Sequence, residues 1–287
     1  MRLALGTAQF GLDYGIANRD GKVPDEELAS ILALARGAGV DTLDTAIAYG
    51  DAEERLGRAG VDGFRIVSKL PAVPPGTADV RAWVRESVAA SLTRLRVESL
   101  AGLLLHRPDD LSGPNGEGLK AGLQDVVELG LVSCIGVSLY DPEALDDLPT
   151  GFTPGLVQIP SNVFDQRILE GKWIDRLRVI GAQIHVRSAF LQGLLLLPPA
   201  DRPTWVKRWS DLFDAYDDWL AETGATPLEG CIGVALSLPG VDRVIVGVDR
   251  ESHLEEIIRA ASSPQIRLPM ALAARDIDLL NPARWPV

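Results

Sequence analysis

The sequence predicts an α/β fold, a single (β/α)8 barrel, on three observations. Short apolar runs alternate with longer amphipathic segments along the whole chain, the alternation repeats about eight times, and 287 residues suit the roughly 250 typical of such a barrel. Strand–helix alternation implies parallel strands joined by right-handed crossovers, and eight units favour closure over an open sheet.

The strand-like runs are Leu3–Leu5, Thr42–Asp44, Arg65–Ser68, Leu100–Leu105, Ser133–Val137, Gly155–Gln158, Gln183–Val186 and Arg243–Val246. Helical patterns fall at Pro24–Ala38, Ala52–Ala59, Ala78–Leu95, Gly118–Leu129, Ile168–Val179, Thr204–Glu222, Pro227–Leu238 and about Arg250–Ala260. Pro24 followed by Asp25 and Glu26 starts the first helix, and Gly37 and Gly39 close it. Gly130 and Gly181 end two others. Pro- and Gly-rich stretches at Pro71–Gly76, Arg107–Gly118 and Leu197–Pro203 follow strands, so a barrel places them on its C-terminal face, where barrel enzymes keep their chemistry. The whole chain, 1–287, reads as one domain with insertions after strands four and seven. A tail from Pro264 to Val287 is long enough to pack across one end.

Composition narrows the function classes. Hydrophobic residues at 46% and charged residues at 24% are ordinary for a globular chain. The net charge of −12 repels phosphates, which disfavours nucleic acid and anionic membrane as partners. No run of about 20 apolar residues occurs, and the N-terminus enters a strand without the pattern of a signal peptide. Cys134 and Cys231 read as reduced thiols in a cytoplasmic protein. His106, His185 and His253 have no metal-ligand spacing, so no metal is expected. Asp109, Asp110, Asp214, Asp217 and Asp218 read as solvated, and Trp205, Trp209 and Trp285 as packing residues that could line a pocket.

Four ionisable residues stand where strands give way to loops. Asp44 ends Thr42-Leu43-Asp44, Tyr49 follows five residues later, Lys69 ends Arg65-Ile66-Val67-Ser68-Lys69, and His106 ends Leu103-Leu104-Leu105-His106. In a barrel all four emerge at one face. Their chemistry is coherent. A phenol, of reference pKa about 10, is a weak acid at neutral pH. An adjacent buried ammonium favours the phenolate, and a carboxylate keeps the ammonium charged. Tyr49 then donates a proton to a carbonyl oxygen, Lys69 tunes it, Asp44 pairs with Lys69, and a neutral His106 orients the carbonyl. Such a site supplies no electrons, so a hydride source is required.

Gly6-Thr7, Asp44-Thr45-Ala46 with Tyr49-Gly50, Glu53 with Leu56-Gly57, Lys69 and His106-Arg107-Pro108 together resemble the aldo-keto reductase family. The likeness continues through Gly136-Val137-Ser138, Val157-Gln158 and Ser188 to Gly193-Leu194, nearly the whole chain. The resemblance implies a TIM barrel, monomeric, that binds NADP(H) or NAD(H) without a Gly-x-Gly-x-x-Gly fingerprint. It makes Asp44, Tyr49, Lys69 and His106 the catalytic tetrad. It also implies that Ser138 and Gln158 hold the nicotinamide carboxamide, that Thr7 lies near the nicotinamide ribose, and that Ser188, Leu191 and Gly193 wrap the pyrophosphate. Gly247, Asp249, Arg250 and His253 then stand at the adenosine end, before a helix N-terminus suited to anions.

Three departures qualify the cofactor contacts. Leu139 follows Ser138 where the family has Asn, a role Asn162 could take over. Arg187 replaces an aromatic ring on strand seven; its guanidinium could reach the nicotinamide, a cofactor phosphate or an acidic substrate. At the adenosine end Asp249, His253 and Ile257 depart from the usual residues and Arg250 is the one permanent cation, which leaves NADP(H) and NAD(H) both open. The expected function is NAD(P)H-dependent interconversion of a carbonyl and an alcohol. Gln9, Tyr14, Arg187 and Gln192 point to a hydroxylated or anionic substrate such as a sugar derivative. The competing readings are a cofactor-binding redox-sensing or regulatory barrel with little turnover, and a cofactor-free barrel lyase or hydrolase.

Overall fold

The computed structural model describes residues 1–263 and 266–286. Eight parallel strands follow one another around a closed barrel: β1 (Leu3–Gly6), β2 (Thr42–Asp44), β3 (Arg65–Leu70), β4 (Gly102–Leu105), β5 (Ile135–Ser138), β6 (Leu156–Pro160), β7 (Gln183–Arg187) and β8 (Arg243–Gly247), with β8 pairing back onto β1. The register Gly6↔Asp44, Leu70↔Leu105, Ser138↔Gln158 and Gly6↔Gly247 aligns the C-terminal ends of these strands.

Period-two alternation divides each strand into two faces. Leu3, Leu5, Leu43, Ile66, Leu103, Leu105, Val137, Val157, Ile184, Val186, Val244 and Val246 face outward into one core shared with the helices. Val67, Leu104 and Leu156, with the half-buried Cys134, form a separate cluster that fills the barrel interior. Two residues beyond these interior positions come Lys69, His106 and Gln158. The alternation that packs the interior therefore also aims the polar residues into its mouth. Space inside is tight: a Cβ on Gly136 would stand 1.8 Å from the Leu156 carbonyl oxygen.

The outer helices are α1 (Asp25–Gly37), α2 (Ala52–Ala59), α3 (Val80–Leu95), α4 (Gly116–Glu128), α5 (Trp173–Val179), α6 (Ser210–Thr223), α7 (Pro227–Ser237) and α8 (Glu251–Ala261). Asp79 caps α3 by accepting from the Ala82 amide at 2.9 Å, and Thr226 with Glu229 forms a capping box at α7 behind Pro227. Two expected helices are shorter than their sequence patterns. The segment 168–179 is helical only from Trp173, because Gly171 and Lys172 both take left-handed backbone (φ 58° and 57°) and interrupt the run. Residues 204–209 form a 3-10 turn before α6, behind Pro203.

A second apolar cluster lies beyond the barrel. There Leu191, Leu194, Val206, Phe213, Tyr216, Cys231 and Val234 pack against Leu279 and Trp285 from the tail, which includes the short helix α9 (Ile277–Leu280). The described tail thus rests on the insertion after β7; Pro264, Gln265 and Val287 of the expected tail lie outside the described residues. Trp205 sits 5.0 Å from Trp285 and 6.2 Å from Trp209, centroid to centroid. Two acidic residues expected to be solvated are engaged instead: Asp110 accepts from the Val73 amide at 3.0 Å, and Asp217 holds Arg202. Cys134 and Cys231 belong to different clusters and are both free thiols. No helix among the described residues is long and apolar enough to cross a membrane.

Candidate active site

The ends of β2, β3, β5 and β6 bring their polar side chains into one hydrogen-bonded cluster. Lys69 is almost fully buried, and its Nζ donates to Asp44 Oδ1 at 2.6 Å and to the Thr45 carbonyl at 2.9 Å. Burial opposes a charge on Lys69, but the Asp44 carboxylate and the Tyr49 phenol beside it more than offset that opposition. The ammonium is held above its ordinary range. The other Asp44 oxygen, Oδ2, accepts from Gln158 Nε2 at 2.6 Å, and Gln158 Oε1 accepts from Ser138 Oγ at 3.3 Å. Thr7 donates through Oγ1 to the Asp44 carbonyl at 3.1 Å, which ties β1 to the same cluster.

Tyr49, on the loop between β2 and α2, lies over this cluster. The Lys69 ammonium stands 5.0 Å from the centroid of its ring, and His106 meets the ring edge-on at 6.2 Å between centroids. Burial pushes the His106 imidazole down to about 4, helped by the positive charges of Lys69 and Arg187. It is therefore neutral at pH 7, with one N–H to donate and no charge to compete with Lys69. Among the described residues, no group of His, Cys, Asp and Glu could hold a metal ion.

Arg187 closes β7 beside this group. Its Nη2 donates to the Leu139 carbonyl at 3.0 Å, its Nη1 donates to Ser188 Oγ at 3.1 Å, and its guanidinium carbon lies 4.6 Å from the Tyr140 ring centroid. Asn162 donates to the Ser188 carbonyl at 3.2 Å and accepts from the amides of Phe164 and Asp165, so its side chain braces the backbone after β6. After β7 the chain carries left-handed non-glycine residues at Ser188 (φ 65°), Leu191 (φ 48°) and Gln192 (φ 54°), a concentration of backbone strain in one short loop. The Leu191 side chain is buried in the second cluster and its amide donates to the Ser188 carbonyl, while the Gly193 amide donates to the Phe190 carbonyl.

The expected adenosine-end residues form a separate group at the end of β8. Gly247 lies against the Gln9 side chain, where a Cβ would stand 2.6 Å from Gln9 Nε2. Arg250 pairs with Asp20, and the amide of Glu251, the first residue of α8, donates to the Glu27 carboxylate of α1. Asp249 is half-buried, its Oδ1 has no hydrogen-bond partner among the described residues, and burial raises its pKa; Oδ2 stands 4.0 Å from His253 Nδ1.

Sequence reasoning did not single out Tyr140, Glu27, Asp20 or His185. Tyr140 lies two residues beyond Ser138, in the right phase to face Arg187, and alternation alone could have found it. Nothing local links Glu27 to Glu251. His185 is buried two residues before Arg187, and its Nδ1 has no partner among the described residues. Burial pushes it down to about 4 as well.

A family model, Aldo/keto reductase family, matches residues 2–267. The chain belongs to the aldo-keto reductase family. As a member it is an NAD(P)-dependent oxidoreductase acting between carbonyls and alcohols. An aldo-keto reductase of Strobilurus tenacellus is 27% identical, covering 90% of this chain and 82% of its own. A 6-dehydroglucose reductase of Novosphingobium aromaticivorans is 28% identical over 68% of each chain. The structure of a glycerol dehydrogenase from Gluconobacter oxydans superposes with a TM-score of 0.72 over 100% of this chain and 93% of that one; at 22% identity it speaks for the fold.

The residues present fit a nicotinamide cofactor. Gln158 spends one amide hydrogen on Asp44 and one lone pair on Ser138, which leaves a second hydrogen and a second lone pair for a carboxamide. Ser138 is fixed beside it, and Gly6 and Gly247 leave the ends of β1 and β8 without side chains.

Proposed function

We propose that this aldo-keto reductase interconverts a hydroxylated aldehyde or ketone and its alcohol, with Tyr49 as the proton donor. The observation that carries the reading is the buried Lys69 ammonium, locked to Asp44 at 2.6 Å and lying under the Tyr49 ring next to a neutral His106. The nicotinamide cofactor, when bound, supplies the hydride to the carbonyl carbon or accepts it in the reverse direction. The chain's own work is on the oxygen. His106 donates a hydrogen bond that orients the carbonyl, and Tyr49 gives up its hydroxyl proton to the oxygen as negative charge develops there. Lys69 stabilises the phenolate left behind, Asp44 keeps Lys69 charged, and solvent returns the proton to Tyr49. Ser138, Gln158 and Thr7 hold the nicotinamide end, and the loop of Ser188, Leu191 and Gly193 lies along the pyrophosphate. The resemblance to a 6-dehydroglucose reductase supports a hydroxylated substrate.

The cofactor favoured is NAD(H). Glu27 occupies the amide at the start of α8, Asp20 neutralises Arg250, and Asp249 adds a third carboxylate, so the donors a 2′-phosphate needs are already engaged by like charge. Gly247 and His253 complete this end. Titration of tryptophan fluorescence with NADH and NADPH tests the choice: NADH binds tighter, and Glu27→Gln with Asp20→Asn narrows the gap. Tyr49→Phe tests the donor, since it removes turnover and keeps NADH affinity. Retained turnover in that variant sinks the assignment. Tight cofactor retention without turnover of any aldehyde by the native chain would favour the regulatory reading.

A further inference from the structure

Arg187 is a cation for which the described residues provide no counter-charge. The three most buried guanidiniums with ion pairs each hold a carboxylate: Arg55 pairs with Asp25, Arg167 with Asp165, and Arg202 with Asp217, while the half-buried Arg2, at the opposite end of the barrel, donates to the Val241 and Leu236 carbonyls. Arg187 is half-buried, yet its partners are a carbonyl, a hydroxyl and the face of a tyrosine ring. These contacts fix the plane of the guanidinium but cancel none of its charge. Taking a cation partly out of water without a counter-ion is costly, and the cost falls when a ligand brings the anion.

The charge is directed at the site. Arg187 is among the groups that keep the His106 imidazole neutral, and it opposes the upward push that burial gives the Tyr14 phenol. Its place on β7 agrees: Val186 packs in the outer core, so Arg187 takes the alternate, interior phase at the end of the strand, over the Tyr140 ring. Tyr14 and Gln192, joined at 3.2 Å, add a hydroxyl and an amide to that side of the mouth. Two of the five guanidinium hydrogens are spent on Leu139 and Ser188, which leaves three to donate. A chain of net charge −12 repels anions over most of its surface, so drawing one in needs a local cation of this kind.

We propose that the carbonyl substrate carries an anionic group, a carboxylate or phosphate, and that Arg187 binds it while His106 and Tyr49 engage the carbonyl oxygen. The proposal rests on the carbonyl-reductase reading above. Arg187 is then a specificity residue: it selects among carbonyl compounds by charge and takes no part in the proton transfer.

The test compares glyoxylate and succinic semialdehyde with their methyl esters, which keep the aldehyde and remove the charge, in the native holoenzyme and in Arg187→Met and Arg187→Lys. The acids are expected to be the better substrates of the native chain. Arg187→Met should lower kcat/KM for an acid about 30-fold more than for its ester, chiefly through KM, as expected for loss of a charge-assisted hydrogen bond. Arg187→Lys should keep part of the preference. Equal losses on acid and ester would overturn the proposal, because they describe a structural role. So would a rise in the NADH dissociation constant with the acid-to-ester ratio unchanged, which assigns the charge to the cofactor's pyrophosphate. Calorimetry with succinate decides the anion site independently of turnover, so that its failure is distinguishable from failure of the carbonyl-reductase reading, which Tyr49→Phe tests. Saturable binding lost in Arg187→Met supports the site, and no binding to the native chain overturns it.

Discussion

Removing one member of the Asp44–Lys69 pair should cost far more than removing both. At 2.6 Å, and with an effective dielectric of about 20, two unit charges attract by roughly 6 kcal/mol. Burial of both ions takes most of that back, so the pair adds little net stability, but either ion alone is left desolvated and uncompensated. Lys69→Met leaves the Asp44 carboxylate with only the Gln158 amide on its side-chain oxygens. Asp44→Asn leaves the ammonium facing an amide and the Thr45 carbonyl. Each single variant should lose about 3–5 kcal/mol of unfolding free energy. Asp44→Asn with Lys69→Met should lose no more than either alone, a coupling of about 3 kcal/mol or larger. Urea unfolding followed by tryptophan fluorescence measures all four corners of the cycle. Additive losses in the double variant, with coupling below about 0.5 kcal/mol, would refute the account of Lys69 as a charge held by one partner.

Two further outcomes follow from the same interior. His106 and His185 are both held near 4 in the fold against about 6.5 in an unfolded chain. Between these values the unfolded chain binds protons that the folded one refuses, so stability falls as pH drops from about 6.5 towards 4, by about 3 kcal/mol for each group. Urea midpoints at pH 7 and pH 4.5 check this, and His185→Leu should shrink the difference; an unchanged difference would clear His185. Gly136→Ala forces a Cβ to within 1.8 Å of the Leu156 carbonyl and must displace β6 from β5. A loss of about 1–3 kcal/mol is expected from overpacking, with reduced turnover because Ser138 and Gln158 sit two residues on; native-like stability would show that the interior has room.

The strands and the gathering of Asp44, Tyr49, Lys69 and His106 at one mouth were legible because they depend on local pattern. Apolar runs marked all eight strands to within a few residues, and the position of Asp44, Lys69 and His106 just past those runs placed them at one end of the barrel. The start of α5 was not legible: residues 168–172 carry a helical apolar pattern, and the left-handed backbone at Gly171 and Lys172 overrides it. Asp217 looked like the solvated face of α6 until Arg202, folded back from the loop before it, supplied a partner. The bracing of Ser188, Phe164 and Asp165 by the Asn162 side chain was likewise not legible, since the turn that brings them together forms only with the fold.

Periodicity in the chain is therefore enough to set the barrel, its orientation and which residues stand at its mouth, since period two and period 3.6 are properties of neighbouring residues. Pairing at the site is a different matter. Gln158 reaches Asp44 across 114 residues, and Glu27 reaches the start of α8 across 224. Closure of β8 onto β1 and the register of each strand choose those partners. A carboxylate that caps α8, a guanidinium held by a carbonyl, a hydroxyl and a ring face, and an imidazole kept neutral by burial exist only once the ring of strands has closed and excluded water from what it encloses.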